Sequence, residues 1–283
     1  VAASTLYGGT VGQLGVGFGR LGIQTTFVDP ARPENFAAAI RPNTRAVYGE
    51  TIGNPLVNVL DIAAVADVAH AHGLPLVIDN TVASPYLCNP LDLGADIVVH
   101  SATKYIGGHG TTMGGVVVEG GRFPWDNGHF PEMTEPSAAY HGVKFYETFG
   151  DFGYTMKARM EVNRTFGAVL SPLSAWLLLQ GSETLHLRMR EHCRNALAVA
   201  QFLQNHPRVA WVNYPGLPDS PYHALAQKQF RAVDGRPGAS GILTFGVKGG
   251  AAAGERFIDA CEFLSHLANI GDAKTLVIHP AST

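Results

Sequence analysis

Two residues able to do chemistry stand at the ends of two apolar runs. Leu74-Pro75-Leu76-Val77-Ile78 ends in Asp79-Asn80-Thr81, and Ala95-Asp96-Ile97-Val98-Val99 leads into His100-Ser101-Ala102-Thr103-Lys104-Tyr105. If both runs are strands of one parallel sheet, a carboxylate and an amine emerge at its carboxyl edge, where such sheets bind ligands. A lysine there can form a Schiff base with a cofactor aldehyde. A carboxylate can keep a pyridine nitrogen protonated, and the hydroxyls of Ser101 and Thr103 can take a phosphate. Together these capacities suit a pyridoxal 5'-phosphate site. A plainer assignment fits the same spacing, with Asp79 capping the next helix and Lys104 a surface lysine in a loop. Spacing alone leaves both open.

The elements that must position these residues follow a βαβ grammar. Short apolar runs at 23–28, 46–48, 74–78, 97–99 and 115–118 read as strands, and 62–72 carries apolar or alanine positions at helical spacing. Such alternation implies an α/β fold, a mostly parallel sheet with helices on both faces. From 120 to 153 the pattern gives way to Gly, Pro and aromatics, a long loop of the kind that serves function or an interface. Helical periodicity returns over 154–170 and 182–204. Runs at 209–212, 241–247, 257–267 and 275–278 suggest a smaller α/β domain. The expected division is a large domain over 1–183 and a small one over 184–283.

Bulk composition narrows the partners. With 46% hydrophobic residues, 15% charged residues and a net charge of −3, the chain of 283 residues is globular and lacks the basic surface that nucleic acid requires. A low-charge surface also favours an oligomer. The three cysteines, Cys88, Cys193 and Cys261, have neither a disulfide nor a zinc-knuckle spacing, which fits a reducing cytoplasm. No apolar run approaches the ~20 residues of a membrane span. The chain opens at Val1 in what reads as mid-fold and stops soon after the apolar Leu276-Val277-Ile278, so a segment of a longer protein is expected.

Other motifs carry less. Gly17-Phe18-Gly19-Arg20-Leu21-Gly22 spells a dinucleotide fingerprint, but it lies in an expected helix and precedes a strand, the reverse of what phosphate binding needs. Close helix packing is the expected reason for its glycines. The 12 histidines include no His-Glu-x-x-His or comparable ligand spacing, so no metal site is expected. His100 is expected to pack at a strand end with one side-chain hydrogen bond.

Tyr7-Gly8-Gly9, Glu50-Thr51 with Asn54-Pro55, Val77-Ile78-Asp79-Asn80-Thr81 and Ser101-Ala102-Thr103-Lys104-Tyr105 occur in an order and spacing that resembles the cystathionine-synthase-like family. These are the Cys/Met-metabolism pyridoxal phosphate enzymes of fold type I. Gly107-Gly108-His109-Gly110-Thr111, Arg122-Phe123-Pro124-Trp125, Thr134-Glu135-Pro136, Tyr140-His141-Gly142 and Ala268-Asn269-Ile270-Gly271-Asp272-Ala273-Lys274 resemble its O-acetylhomoserine sulfhydrylase branch.

The resemblance implies roles. Lys104 would hold the cofactor covalently, Asp79 would pair with the pyridinium nitrogen, Tyr7 would stack on the ring and assist proton transfer, and Asn54 would lie near the ring 3-oxygen. Ser101 and Thr103 would bind the phosphate, and Asn269 would approach the substrate carboxylate. It also implies a homotetramer built as a dimer of dimers. The family's Gly-rich phosphate turn, and the arginine that follows the run His279-Pro280-Ala281-Ser282-Thr283, would lie outside this chain. The implied reaction is γ-replacement on O-acetyl-L-homoserine with sulfide or methanethiol, giving homocysteine or methionine plus acetate. Alternatives are a C–S lyase acting on methionine or cystathionine, and a non-catalytic fold remnant or interaction subunit.

Overall fold

Six short strands, the longest of five residues, build one sheet. The computed structural model describes residues 1–280; residues 281–283, the Ala-Ser-Thr end of the run that begins at His279, lie outside the described residues. Strands β1 (Ala2–Ala3), β2 (Phe27–Val28), β3 (Val47–Glu50), β4 (Leu76–Asp79), β5 (Ile97–Ser101) and β6 (Gly115–Glu119) lie in the order β2-β1-β3-β4-β5-β6. Neighbours run parallel except β5 with β6. Glu50 stands opposite Asp79, and Asp79 opposite Val99. Because side chains alternate along a strand, Tyr48, Glu50, Asp79, Val99 and Ser101 share one face, while Gly49, Ile78, Val98 and His100 share the other.

The crossover from β3 to β4 is the helix Ile62–Ala71. Asp61 caps it by accepting the Ala64 N–H at 3.2 Å, and Ile62, Val65, Ala66 and Ala69 turn inward. They meet Phe36, Val47, Leu76 and Ile78 in the main core, where full burial of each large aliphatic side chain contributes about 1.5–3 kcal/mol.

This helix is tied to the far end of the chain by Gln229, which closes the helix His223–Gln229. Its amide accepts the Ile62 N–H at 3.0 Å and donates to the Leu60 carbonyl at 2.9 Å, all buried. Gln229→Ala leaves both backbone groups without a partner, and a stability loss of about 2–4 kcal/mol is expected in urea unfolding. A loss under about 0.5 kcal/mol would contradict that assignment, since one unsatisfied buried group already exceeds it.

Several expectations change against the structure. The strand expected over 23–28 is only Phe27–Val28, because Gly22 ends the preceding helical stretch in a left-handed conformation, φ 81°. Gly17 and Gly19 have open space or ordinary contact where a side chain would project, so helix packing does not explain them. The long loop over 120–153 holds short helices at Pro131–Thr134 and Phe145–Phe149 around a second aromatic core of Phe123, Trp125, Phe130, Met133 and Phe145.

The helix expected over 182–204 begins at Leu185, and a separate helix, Pro172–Glu183, precedes it. After β7 (Val209–Asn213), which pairs antiparallel with Thr244–Val247, the helix Gly250–Asp259 takes up the start of the apolar run expected over 257–267. Among the described residues no helix is long and apolar enough to cross a membrane.

Candidate active site

Three strands deliver their last residues to one edge of the sheet: Glu50 from β3, Asp79 from β4 and Ser101 from β5. Lys104 follows on a turn in which its peptide N–H bonds the Ser101 carbonyl at 3.1 Å and its own carbonyl accepts the Gly108 N–H at 2.8 Å. The turn is held from outside. Arg188, on the helix Leu185–Gln204, donates to the carbonyls of Tyr105 at 2.6 Å, Ile106 at 3.2 Å and Gly181 at 2.6 Å. The Tyr105 side chain is buried beneath it and accepts the Gly241 N–H at 3.2 Å.

A distant segment completes the floor. Gly271, at φ 73°, packs so closely on the Lys104–Tyr105 peptide that a Cβ there would lie 2.6 Å from the Tyr105 nitrogen. That approach brings Asn269 to the lysine, and Lys104 Nζ donates to Asn269 Oδ1 at 2.6 Å. Burial lowers the Lys104 pKa, which favours the neutral amine a nucleophile needs. Asn269 works against that shift, since an acceptor oxygen favours the ammonium form. In cofactor-free protein, Asn269→Ala is therefore expected to lower the Lys104 titration midpoint further. The pH dependence of its reaction with a small aldehyde reads this, and an unmoved midpoint contradicts it.

Asp79 is the other pole. Its Oδ1 accepts the Thr81 N–H at 2.9 Å, and the Tyr48 hydroxyl reaches Oδ2 at 3.5 Å. It keeps some exposed surface, yet burial raises its pKa, opposed by Thr81 and Tyr48. No Lys, Arg or His forms an ion pair with it among the described residues. A carboxylate in such a setting is stabilised by a cationic partner or else protonates.

The remaining expected residues lie around this edge with varied readiness. Tyr7 is 54% exposed and precedes the helix Gly8–Gly12, its peptide N–H bonded to Glu50 Oε1 at 2.8 Å. Asn54 follows the end of β3, half-buried. The Ser101 peptide N–H is taken by Thr81 Oγ1 at 2.7 Å, leaving its hydroxyl for a ligand. Thr103 is engaged already: its hydroxyl donates to the Gly114 carbonyl at 3.3 Å and accepts the Gly114 N–H at 3.1 Å. To donate to a phosphate it must give up the first of these.

His100 is buried in β5 on the opposite face, as packing requires, with a hydrogen bond to the Asn80 backbone; Nδ1 has no partner among the described residues, and burial outweighs the bond and pushes the pKa down to about 4. Sequence reasoning assigned no role to Glu50, Tyr48, Thr81 or Arg188. Glu50 had the same signal as Asp79, an acid closing an apolar strand. Arg188 had none, because the two carbonyls through which it holds the Lys104 turn lie more than 80 residues away.

Comparison with known proteins points the same way. The profile of the family described as Cys/Met metabolism PLP-dependent enzyme matches residues 1–283. The chain is 54% identical to an O-acetyl-L-homoserine sulfhydrylase from Leptospira meyeri, across 100% of this chain and 65% of that protein. It is 48% identical to O-acetyl-L-homoserine sulfhydrylase 1 from Thermus thermophilus and 50% identical to a homocysteine synthase from Schizosaccharomyces pombe, in each case over 100% of this chain and 66% of the relative. The chain thus spans just under two thirds of the length of these relatives. A crystal structure of a candidate O-acetylhomoserine (thiol)-lyase from Campylobacter jejuni, containing N'-pyridoxyl-lysine-5'-monophosphate, superposes with a TM-score of 0.94 at 34% identity, over 99% of this chain and 68% of that one.

Proposed function

The chain belongs to the family of Cys/Met metabolism PLP-dependent enzymes, and from that premise we propose that the protein carries out γ-replacement on O-acetyl-L-homoserine, with sulfide or methanethiol as the incoming sulfur. The Cγ–O bond breaks, a Cγ–S bond forms, and homocysteine or methionine leaves with acetate. The observation that carries the choice of substrate is the 54% identity with the Leptospira meyeri sulfhydrylase over the whole of this chain.

The donor set fits pyridoxal phosphate. A half-buried carboxylate without a cationic partner among the described residues suits a protonated pyridine nitrogen, and a half-buried amine suits covalent attachment. Asp79 would hold the ring nitrogen, Lys104 the aldehyde carbon, Tyr7 and Asn54 the ring, and Ser101 with Thr103 the phosphate. When bound, the cofactor supplies an electron sink for negative charge on the substrate carbons.

The chain's own residues do the rest. Lys104, once displaced by the substrate amine, moves protons at Cα and Cβ, and a burial-lowered pKa suits it to that exchange. Asn269 would hold its Nζ between transfers and, on the family pattern, approach the substrate carboxylate. Tyr7, with an exposed phenol at the rim, is the candidate to serve the leaving group.

We also read 1–183 as the cofactor domain, since all six strands of the large sheet fall within it, and 184–283 as the small domain. A homo-oligomer, on the family pattern a tetramer, is supported by the exposed Phe166, Val169, Leu173, Trp176 and Leu179 on neighbouring turns. The test is to supply O-acetyl-L-homoserine with sulfide, and separately methionine alone. Homocysteine and acetate in the first, with no keto acid in the second, are expected. Keto acid and ammonia from methionine would favour a lyase, and failure to take up cofactor a non-catalytic subunit.

A further inference from the structure

Glu50 closes β3 beside Asp79, and none of the roles assigned above uses it. Its side chain is almost wholly buried, at 6% exposure. Oε1 accepts the Tyr7 peptide N–H at 2.8 Å, and Oε2 has no hydrogen-bond partner among the described residues. Ser4, bonded to the Val28 carbonyl at 2.8 Å, and the buried Leu6 hold the preceding residues to the sheet, and the bond from the Tyr7 N–H to Glu50 fixes the residue that carries the ring. Two carboxyl groups in register on neighbouring strands, with no cation paired to either among the described residues, each disfavour the other's charge.

We propose that Glu50 is a positioning residue of this site, fixing the Tyr7 peptide against the strand beside Asp79 and so setting the Tyr7 ring over the carboxyl edge of the sheet. Burial pushes the Glu50 carboxyl up to about 8; backbone hydrogen bonds from Tyr7 and Asn54 oppose this and Asp79 adds to it. As a neutral acid, Glu50 offers one carbonyl oxygen to Tyr7 and one O–H donor. Glutamine reproduces that pattern. Asp79 is then the anion of this face, as pairing with a ring nitrogen requires. The inference rests on the reading that the site takes pyridoxal phosphate with Tyr7 against its ring.

The experiment is a pyridoxal phosphate titration of the full-length protein, followed by the visible circular dichroism of the bound cofactor, for Glu50→Gln, Glu50→Asp and Glu50→Ala. Glu50→Gln is expected to keep Kd within about twofold and the same dichroic band. Glu50→Ala and Glu50→Asp are expected to weaken Kd about tenfold and reduce the band, because one leaves the Tyr7 N–H unpaired and the other is a methylene too short to reach it. A role in charge alone would spare Glu50→Asp and damage Glu50→Gln, and that pattern overturns the proposal. So does an unaltered Glu50→Ala. If Glu50→Ala does not fold, as far-ultraviolet dichroism will reveal, the order of the Gln and Asp variants decides. Absence of cofactor binding by the unsubstituted protein overturns the reading of the site and this inference together, whereas normal binding with an unaltered Glu50→Ala overturns the inference alone.

Discussion

Lys104→Ala is expected to leave the protein folded, to end covalent retention of pyridoxal phosphate, and to lower turnover about a thousandfold or more. Two losses combine. On the proposed roles, the nucleophile that would hold the cofactor disappears, and so does the group that would move protons at the substrate carbons, for which positioned acid–base groups alone contribute about 10²–10⁴-fold. The fold has little at stake, since the Lys104 side chain is half-buried and its one hydrogen bond among the described residues is to Asn269. The turn itself is secured by backbone bonds and by Arg188, none of which involve the lysine side chain. Dialysis against cofactor-free buffer, then steady-state assay, measures both effects. A variant that retains cofactor through dialysis and turns over within tenfold of the parent would remove Lys104 from the mechanism.

Asp79→Asn carries the second large effect, and it separates binding from chemistry. Asparagine has the same shape and keeps an oxygen for the Thr81 N–H, so the strand end holds. What changes is the charge. A neutral amide no longer favours a protonated ring nitrogen, and the ring loses its strength as an electron acceptor. Turnover is expected to fall about a hundredfold or more, the equivalent of a few kcal/mol of transition-state stabilisation, while covalent retention on Lys104 persists. Stopped-flow assays with O-acetyl-L-homoserine, set beside the visible spectrum, separate the two. Normal turnover in this variant would falsify the assignment of Asp79 as the ring partner.

Much of this architecture can be read from residue order, for a definite physical reason. In a parallel sheet the chain must leave each strand at the carboxyl edge, so a polar residue that closes an apolar run is delivered there by topology. Asp79 and the Lys104 turn follow that logic, and Glu50, which closes a four-residue strand just as Asp79 does, follows it equally. The helix Pro172–Glu183 was missed despite its start signal. Ser171 caps it by accepting the Ser174 N–H, and Pro172 takes its first turn. Its apolar residues encircle the helix instead of forming one stripe, so no periodicity marks it.

The short helices between 120 and 153 are too brief for any period to register, and their order comes from Phe123, Trp125 and Phe130 packing edge to face. Contacts across great sequence distance were out of reach altogether. The bond from Lys104 to Asn269 spans 165 residues, and it exists because Gly271 lets one backbone press on another. A family resemblance could put Asn269 near the substrate. Only the fold brings it to the amine.

The central claim is that Lys104 is the residue that takes the cofactor at an edge where Asp79 awaits its ring nitrogen. The measurement that tests it most directly is borohydride reduction of the protein loaded with pyridoxal phosphate, followed by peptide mapping. The expected result is a single phosphopyridoxyl label on the peptide containing Ser101-Ala102-Thr103-Lys104, at Lys104. A label distributed over surface lysines, or concentrated at Lys157 or Lys274 with Lys104 unmodified, would contradict it.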